Sequence, residues 1–261
     1  MRAVAGLEPE PPILKHRTKR HLRVAFLLCF APLWLSGAAM GAAPTNGFRH
    51  IAIDVGHIIK TQGAISSRGV AEFEFNRQLA LALDAAFSRA DVRTTLIAVE
   101  GLTIDLASRP RRAKDAGAQL FVSVHHDSAK ARFHQDWQFE GKPRKFLDDR
   151  FKGFSLFVSR INPQWPQALK CASAIGAQLI AQGFKPSRYH ADPVLGSARE
   201  FADETNGVHF FDNLAVLRNA TMPALLMEAG VIVNRDEEAR LRLPATHERL
   251  AAAVVAGVAG C

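Results

Sequence analysis

Cysteine is scarce in this sequence. Three occur among 261 residues. Cys29 falls in an apolar N-terminal stretch, which leaves Cys171 and Cys261 for the remainder. At most one bridge can form there, so a disulfide-dense scaffold is excluded and core packing has to hold the fold. Whether the two pair is left open by the residues themselves. No internal repeat and no low-complexity linker divides the chain, which argues for one domain. Acidic residues are also in deficit, 25 against 33 Lys and Arg, for a formal net charge of +8. Six of those basic and two of those acidic residues lie in residues 1–43, leaving 27 against 23 and a net +4. With half the basic excess gone, nucleic acid is not an expected partner, and an anionic extracellular polymer fits the residual charge at least as well.

Residues 1–43 read as a leader. Residues 11–23 (PPILKHRTKRHLR) are basic, residues 24–40 (VAFLLCFAPLWLSGAAM) are apolar, and GAAP follows. A positive segment, an apolar segment and small residues before a cut are the marks of a secretory signal peptide. Pro32 inside the apolar part weakens the rival reading, an uncleaved membrane anchor. Cleavage near Ala43 is expected, leaving 44–261 as a single domain large enough for a full core. The expected location is exported, periplasmic or extracellular, at the cell wall.

Within 44–261, short apolar runs alternate with helical patterns, which predicts an α/β domain. Strands are expected at 49–55, 92–98, 119–124, 154–158, 214–217 and 224–228, and helices at 72–90, 105–116, 166–183 and 236–257. In the first helix Phe75, Leu79, Leu83 and Ala86 recur at helical spacing and define one buried stripe. Asn234 and Glu237 resemble a capping box opening the last helix, and Pro244 interrupts it. Residues 130–152, rich in Phe, Trp and basic side chains, and residues 184–213, with His190 and His209, read as long loops.

The residues able to do chemistry gather at strand ends. His57 follows the first strand, His125 and His126 end the third in 121-FVSVHHDS-128, Glu228 ends the last in 223-PALLMEAG-230, and Glu72 opens the first helix. Ligands of open α/β sheets bind outside the carboxyl ends of the strands, so these positions can meet on one rim. Glu72 shares the buried stripe of its helix and would face that rim. Two histidines and a carboxylate are the protein ligands of one common kind of catalytic zinc site. Zinc lowers the pKa of its water toward about 7, and a nearby carboxylate can move the proton. Each residue also has a plain reading. A histidine after a strand is more often a loop residue, a helix-start glutamate a dipole-stabilising charge, and a strand-end glutamate half of an ion pair.

Four segments, taken in order, carry more weight than any one residue. 51-IAIDVGHIIKTQGAI-65, 69-GVAEFEFNRQLA-80, 119-QLFVSVHHDSA-129 and 223-PALLMEAGVIVNRDEEARL-241 resemble the ordered motifs of zinc-dependent N-acetylmuramoyl-L-alanine amidases. These are the catalytic domains of cell-separation amidases and of related sporulation and phage lysins. The resemblance spans about residues 49–257. It implies a twisted mixed sheet flanked by helices, with one Zn2+ at the carboxyl ends of the strands. By the same resemblance His57, Glu72 and His125 are the metal ligands and Glu228 the catalytic residue, acting as base and then acid. The implied reaction is hydrolysis of the amide between N-acetylmuramic acid and L-alanine in peptidoglycan. Strand geometry says only that His125 and His126 point to opposite faces; the motif assigns the ligand role to His125.

The sequence departs from the family pattern in places. Ile58, Ile59 and Lys60 stand where glycine commonly follows the first histidine, His126 replaces a small residue, and Asp127 replaces asparagine and adds negative charge. Asn76, one turn beyond Glu72, is kept and is a candidate donor to its carboxylate. Arg109 and Arg218 also match the family, but read plainly as salt-bridge or helix-end charges and are left outside the site. A monomer is expected; a protein activator is conceivable, though no segment supports one. The rival readings are an exported zinc peptidase or other amide hydrolase, and a non-catalytic peptidoglycan-binding module.

Overall fold

Three segments with apolar side chains on both faces lie parallel in the middle of a seven-stranded sheet: β1 (His50–Val55), β3 (Leu120–Asp127) and β9 (Ala224–Val231). The computed structural model describes residues 47–102 and 104–261. The expected leader over 1–43, with its cleavage point, lies outside the described residues. β2 (Arg93–Ile97) pairs parallel with β1. On the other flank β6 (Ser155–Val158) runs antiparallel to β9, β8 (Val208–Phe210) parallel to β6, and β7 (Phe201–Asp203) antiparallel to β8. The order is β2-β1-β3-β9-β6-β8-β7, a mixed sheet covered by helices on both faces, as the expected fold class requires.

Strand alternation divides the core in two. Ile51, Ile53 and Val55, Val122 and Val124, and Leu225 and Met227 pack with α1 (Glu72–Arg89), α3 (Trp165–Ala181) and α6 (Pro244–Ala259). Leu79 and Leu83 of α1 are fully buried there, each contributing roughly 1.5–3 kcal/mol. Ala52, Phe121 and Leu226 face the other way, onto Ala113 of α2 (Ser108–Asp115) and Val216 and Leu217 of α4 (Ala215–Arg218). Cys171 of α3 and Cys261 form a disulfide, settling the open pairing.

Four expectations need correction. Residues 214–217 are not a strand: four apolar residues suit a strand or a helical turn equally, and α4 is the turn. Residues 130–152 are not simply a loop but hold an antiparallel hairpin, β4 (Gln135–Phe139) and β5 (Lys142–Phe146). Glu140 and Gly141, at φ 50° and 70°, make its two-residue turn, the doubly left-handed kind that follows strand twist. The 184–213 stretch likewise carries β7 and β8. The final helix is interrupted at Pro244 as expected, into α5 (Arg235–Leu241) and α6. Asn234 does cap α5, accepting from the amides of Asp236 and Glu237 at 3.1 Å. The Glu237 carboxylate, however, accepts from Val231 and Gly153 instead of closing the box.

The hairpin aromatics pack inward onto neighbouring cations. Trp137 donates to the Ser67 carbonyl at 3.0 Å, and the Arg235 guanidinium sits 4.2 Å from the Phe146 ring centre.

Candidate metal centre

β1 leaves the sheet at Val55, and Gly56 passes so close to β3 that a Cβ there would strike the His125 ring. His57 then adopts φ 68°, a left-handed conformation uncommon outside glycine. Arg109, buried on α2, holds the turn. Its Nη1 donates to the Asp54 carboxylate at 2.8 Å and to the Val55 carbonyl at 2.5 Å, and its Nη2 donates to the His57 carbonyl at 2.7 Å. Ser123 donates to the second Asp54 oxygen at 2.7 Å. Arg109, which reads from sequence as an ordinary ion-pair residue, therefore fixes the backbone that presents His57.

Glu72 begins α1 and is 4% exposed. The loop before it closes over the helix start: the amides of Glu72 and Phe73 donate to the carbonyls of Ala64 and Gln62, satisfying donors a helix N-terminus leaves free. The carboxylate faces both histidines, Oε2 lying 3.0 Å from His57 Nε2 and Oε1 3.0 Å from His125 Nδ1. It also accepts from the amides of Ala64 (3.0 Å) and His126 (3.3 Å) and from Asn76 Nδ2 (3.2 Å). Burial pushes its pKa up, but the hydrogen bonds and charges of His125 and His57 outweigh that and hold it well below the usual carboxylate range.

The adjacent histidines part as alternation requires. His125 shares the face of Phe121 and Ser123 and reaches Glu72. His126 points under α1, 1% exposed, where Nδ1 and Asn76 Oδ1 are 2.8 Å apart; the amide oxygen can only accept, so the ring donates. Asn76 thus links His126 to Glu72 through its two ends. Burial lowers the His126 pKa to about 3, so the ring is neutral.

Glu228 is the register partner of His125 on the next strand and points to the same face. It is half-buried, and its Oε2 has no hydrogen-bond partner among the described residues. Burial, then the charges of Asp127 and Glu72, push its pKa well above the usual value. Asp127 does bring negative charge to the rim, but the charge is heavily solvated by protein: Tyr189 Oη and the Ser128 amide donate to it, and His190 Nε2 lies 2.6 Å away.

His57, Glu72 and His125 can each offer one ligand atom, all within 4.8 Å of one another. Two imidazole nitrogens and one carboxylate oxygen are a donor set suited to zinc. A Cβ at Gly63, which has φ 78°, would overlap both Glu72 and His57, so the backbone is shaped to leave the cluster clear. The group fits a metal. Two cavities flank it. One of about 400 Å³ is bordered by His57, Ile58 and Arg109, and one of about 240 Å³ by Glu228, His190 and Arg199, with His125 and Leu226 bordering both. His190 and Arg199 carried no motif and were invisible as site residues; a long, histidine-bearing segment was their only signal.

The family model described as N-acetylmuramoyl-L-alanine amidase matches residues 51–260. A comparison with curated protein sequences finds no match. Among solved structures, the amidase Ami1 from Mycobacterium smegmatis is similar at a TM-score of 0.63 and 21% identity, over 83% of this chain and 97% of that one. An amidase from Clostridium difficile 630 gives 0.62 and 19%, over 81% and 95%. The catalytic domain of CwlV from Bacillus (Paenibacillus) polymyxa var. colistinus gives 0.57 and 23%, over 81% and 96%. At these identities the structural likenesses speak for the fold. The family match covers most of the chain, and the chain belongs to the N-acetylmuramoyl-L-alanine amidase family.

Proposed function

We propose that the protein hydrolyses the amide between N-acetylmuramic acid and L-alanine in peptidoglycan, with Zn2+ held by His57, Glu72 and His125 and with Glu228 moving the proton. The observation that carries this reading is the pairing of Glu228 with His125 across β3 and β9, one carboxylate oxygen free, beside a three-residue donor cluster. Bound there, zinc would supply Lewis acidity, acidifying a water and polarising the scissile carbonyl. Glu228 accepts the proton of the attacking water and returns it to the departing L-alanine nitrogen. Asn76 and the amides of Ala64 and His126 hold Glu72 in the orientation its two histidines require. Arg109 holds His57 in place through the backbone.

Peptidoglycan lies outside the cytoplasmic membrane, so the reading includes export: residues 1–43 as a leader, residues 44–261 as the catalytic domain, and action at the cell wall as a monomer. The Cys171–Cys261 bridge supports an oxidising compartment. No helix among the described residues is long and apolar enough to cross a membrane.

The test is to incubate the purified protein with isolated peptidoglycan, with and without a chelator, and to identify released products by mass spectrometry. Stem peptides with free L-alanine amino termini, lost on chelation and restored by zinc, uphold the reading. Cleavage within the stem, or no release, overturns it.

A further inference from the structure

The smaller cavity holds a cation that the hydrolytic chemistry leaves unused. Arg199 precedes β7, its amide anchored to the His190 carbonyl at 2.9 Å. Its guanidinium lies 3.3 Å over the centre of the Phe211 ring and 5.9 Å from that of Phe157. No carboxylate pairs with it among the described residues. The acidic charge that acts on it is that of Asp127, whose oxygens are already engaged by Tyr189, His190 and the Ser128 amide. The stack on Phe211 fixes the plane of the fork and recovers part of the desolvation cost, yet leaves the N–H donors without an acceptor. An arginine fork in that state matches a carboxylate in bidentate geometry.

Its position says which part of the substrate comes there. Arg199 borders the same cavity of about 240 Å³ as Glu228. The acid that protonates a leaving amine must lie on the leaving-group side of the scissile bond, so the cavity beyond Glu228 takes the peptide. We propose that Arg199 is the receptor for a free carboxylate on the stem peptide, a role that rests on the amidase reading above. The fork grips the carboxylate, Phe211 keeps the fork flat, and the stem is thereby registered so that its first amide meets Glu228. Arg199 is thus a determinant of stem-peptide preference, selecting stems with free carboxylates over stems whose carboxylates are amidated.

Two muramyl peptides of identical sequence test it, one with free stem carboxylates and one with the carboxamides. The wild-type protein should favour the carboxylate form by roughly tenfold to hundredfold in kcat/KM, the range of a charge-assisted hydrogen bond. Arg199→Met should collapse that ratio to about one, chiefly through KM, and Arg199→Lys should restore part of it. A ratio that survives Arg199→Met, or never existed, overturns the proposal; so does an equal loss on both substrates, which marks a packing role. A second readout needs no turnover: calorimetric titration of the free carboxylate stem peptide into wild-type and Arg199→Met protein of matched Tm. Weaker binding by the variant upholds the receptor role and equal binding overturns it. If the wild type cleaves neither muramyl peptide the amidase reading fails, while the titration still decides Arg199.

Discussion

Arg109 donates to the carbonyl of His57 at 2.7 Å while its other nitrogen holds Asp54 at 2.8 Å. One guanidinium therefore ties a buried charge to the backbone of a candidate ligand. Lysine can keep the charge pair but cannot span both acceptors. Arg109→Lys is expected to weaken zinc binding about tenfold, as loss of a supporting contact does, measured by competition with a chromogenic chelator. Arg109→Ala leaves Asp54 buried and unpaired, and is expected to cost about 3–5 kcal/mol of stability in urea unfolding.

Gly63 gives a separate handle on the same cluster. A Cβ there overlaps Glu72 and His57, and its φ of 78° also disfavours any side chain. Gly63→Ala should lower bound zinc, read by elemental analysis, while shifting Tm by only a few degrees, because the loop bears little of the core. An alanine variant with full zinc occupancy would contradict the close approach.

Glu228→Gln should retain zinc and lose activity by about 10²- to 10⁴-fold, the usual contribution of a positioned acid or base. The same change removes a carboxylate whose Oε2 has no partner, so the metal-free protein should be as stable as wild type or more so. Near-normal turnover would remove Glu228 from the mechanism.

His209 offers a test by pH, away from the metal cluster. It is fully buried and stacked on Phe201 at 4.3 Å, and neither ring nitrogen has a hydrogen-bond partner among the described residues. Burial, then the charges of His190 and Arg199, lower its pKa from 6.5 to about 3. Between those values the unfolded chain binds a proton that the folded chain refuses. Stability falls on acidification across that window, by up to about 1.4 kcal/mol per pH unit, and the effect vanishes above pH 6.5. His209→Phe should reduce the slope across that window, leaving the share of His126, whose pKa is lowered in the same way; an unchanged slope would mean the ring is already accessible to protons.

What the sequence made legible was whatever depends on local period and order. The buried runs of β1, β3 and β9 read directly as strands, and Asn76 could be linked to Glu72 because positions four apart share a helix face. Long-range partners were another matter. Arg109 lies 55 residues from Asp54, and nothing local distinguishes it from Arg111 or Arg112. Strand alternation alone could not separate His125 from His126 without knowing which face α1 covers; only the motif resemblance assigned the ligand role to His125. Residues 215–218 hold too few side chains to show a period. The hairpin at 135–146 was hidden because its aromatics drew attention while its Glu140-Gly141 turn did not. Arg199 was unreadable because an unused cation has no signature in one dimension.

The Cys171–Cys261 bridge joins sites 90 residues apart, so its first thiol is synthesised long before its partner. Packing of α3 against α6 sets the two thiols side by side, and oxidation closes the loop. A closed loop of this length contributes about 2–5 kcal/mol. The protein therefore exists at two grades of durability, set by the thiol chemistry of its surroundings. Under reducing conditions the weaker form would prevail, and under oxidising conditions the stronger one.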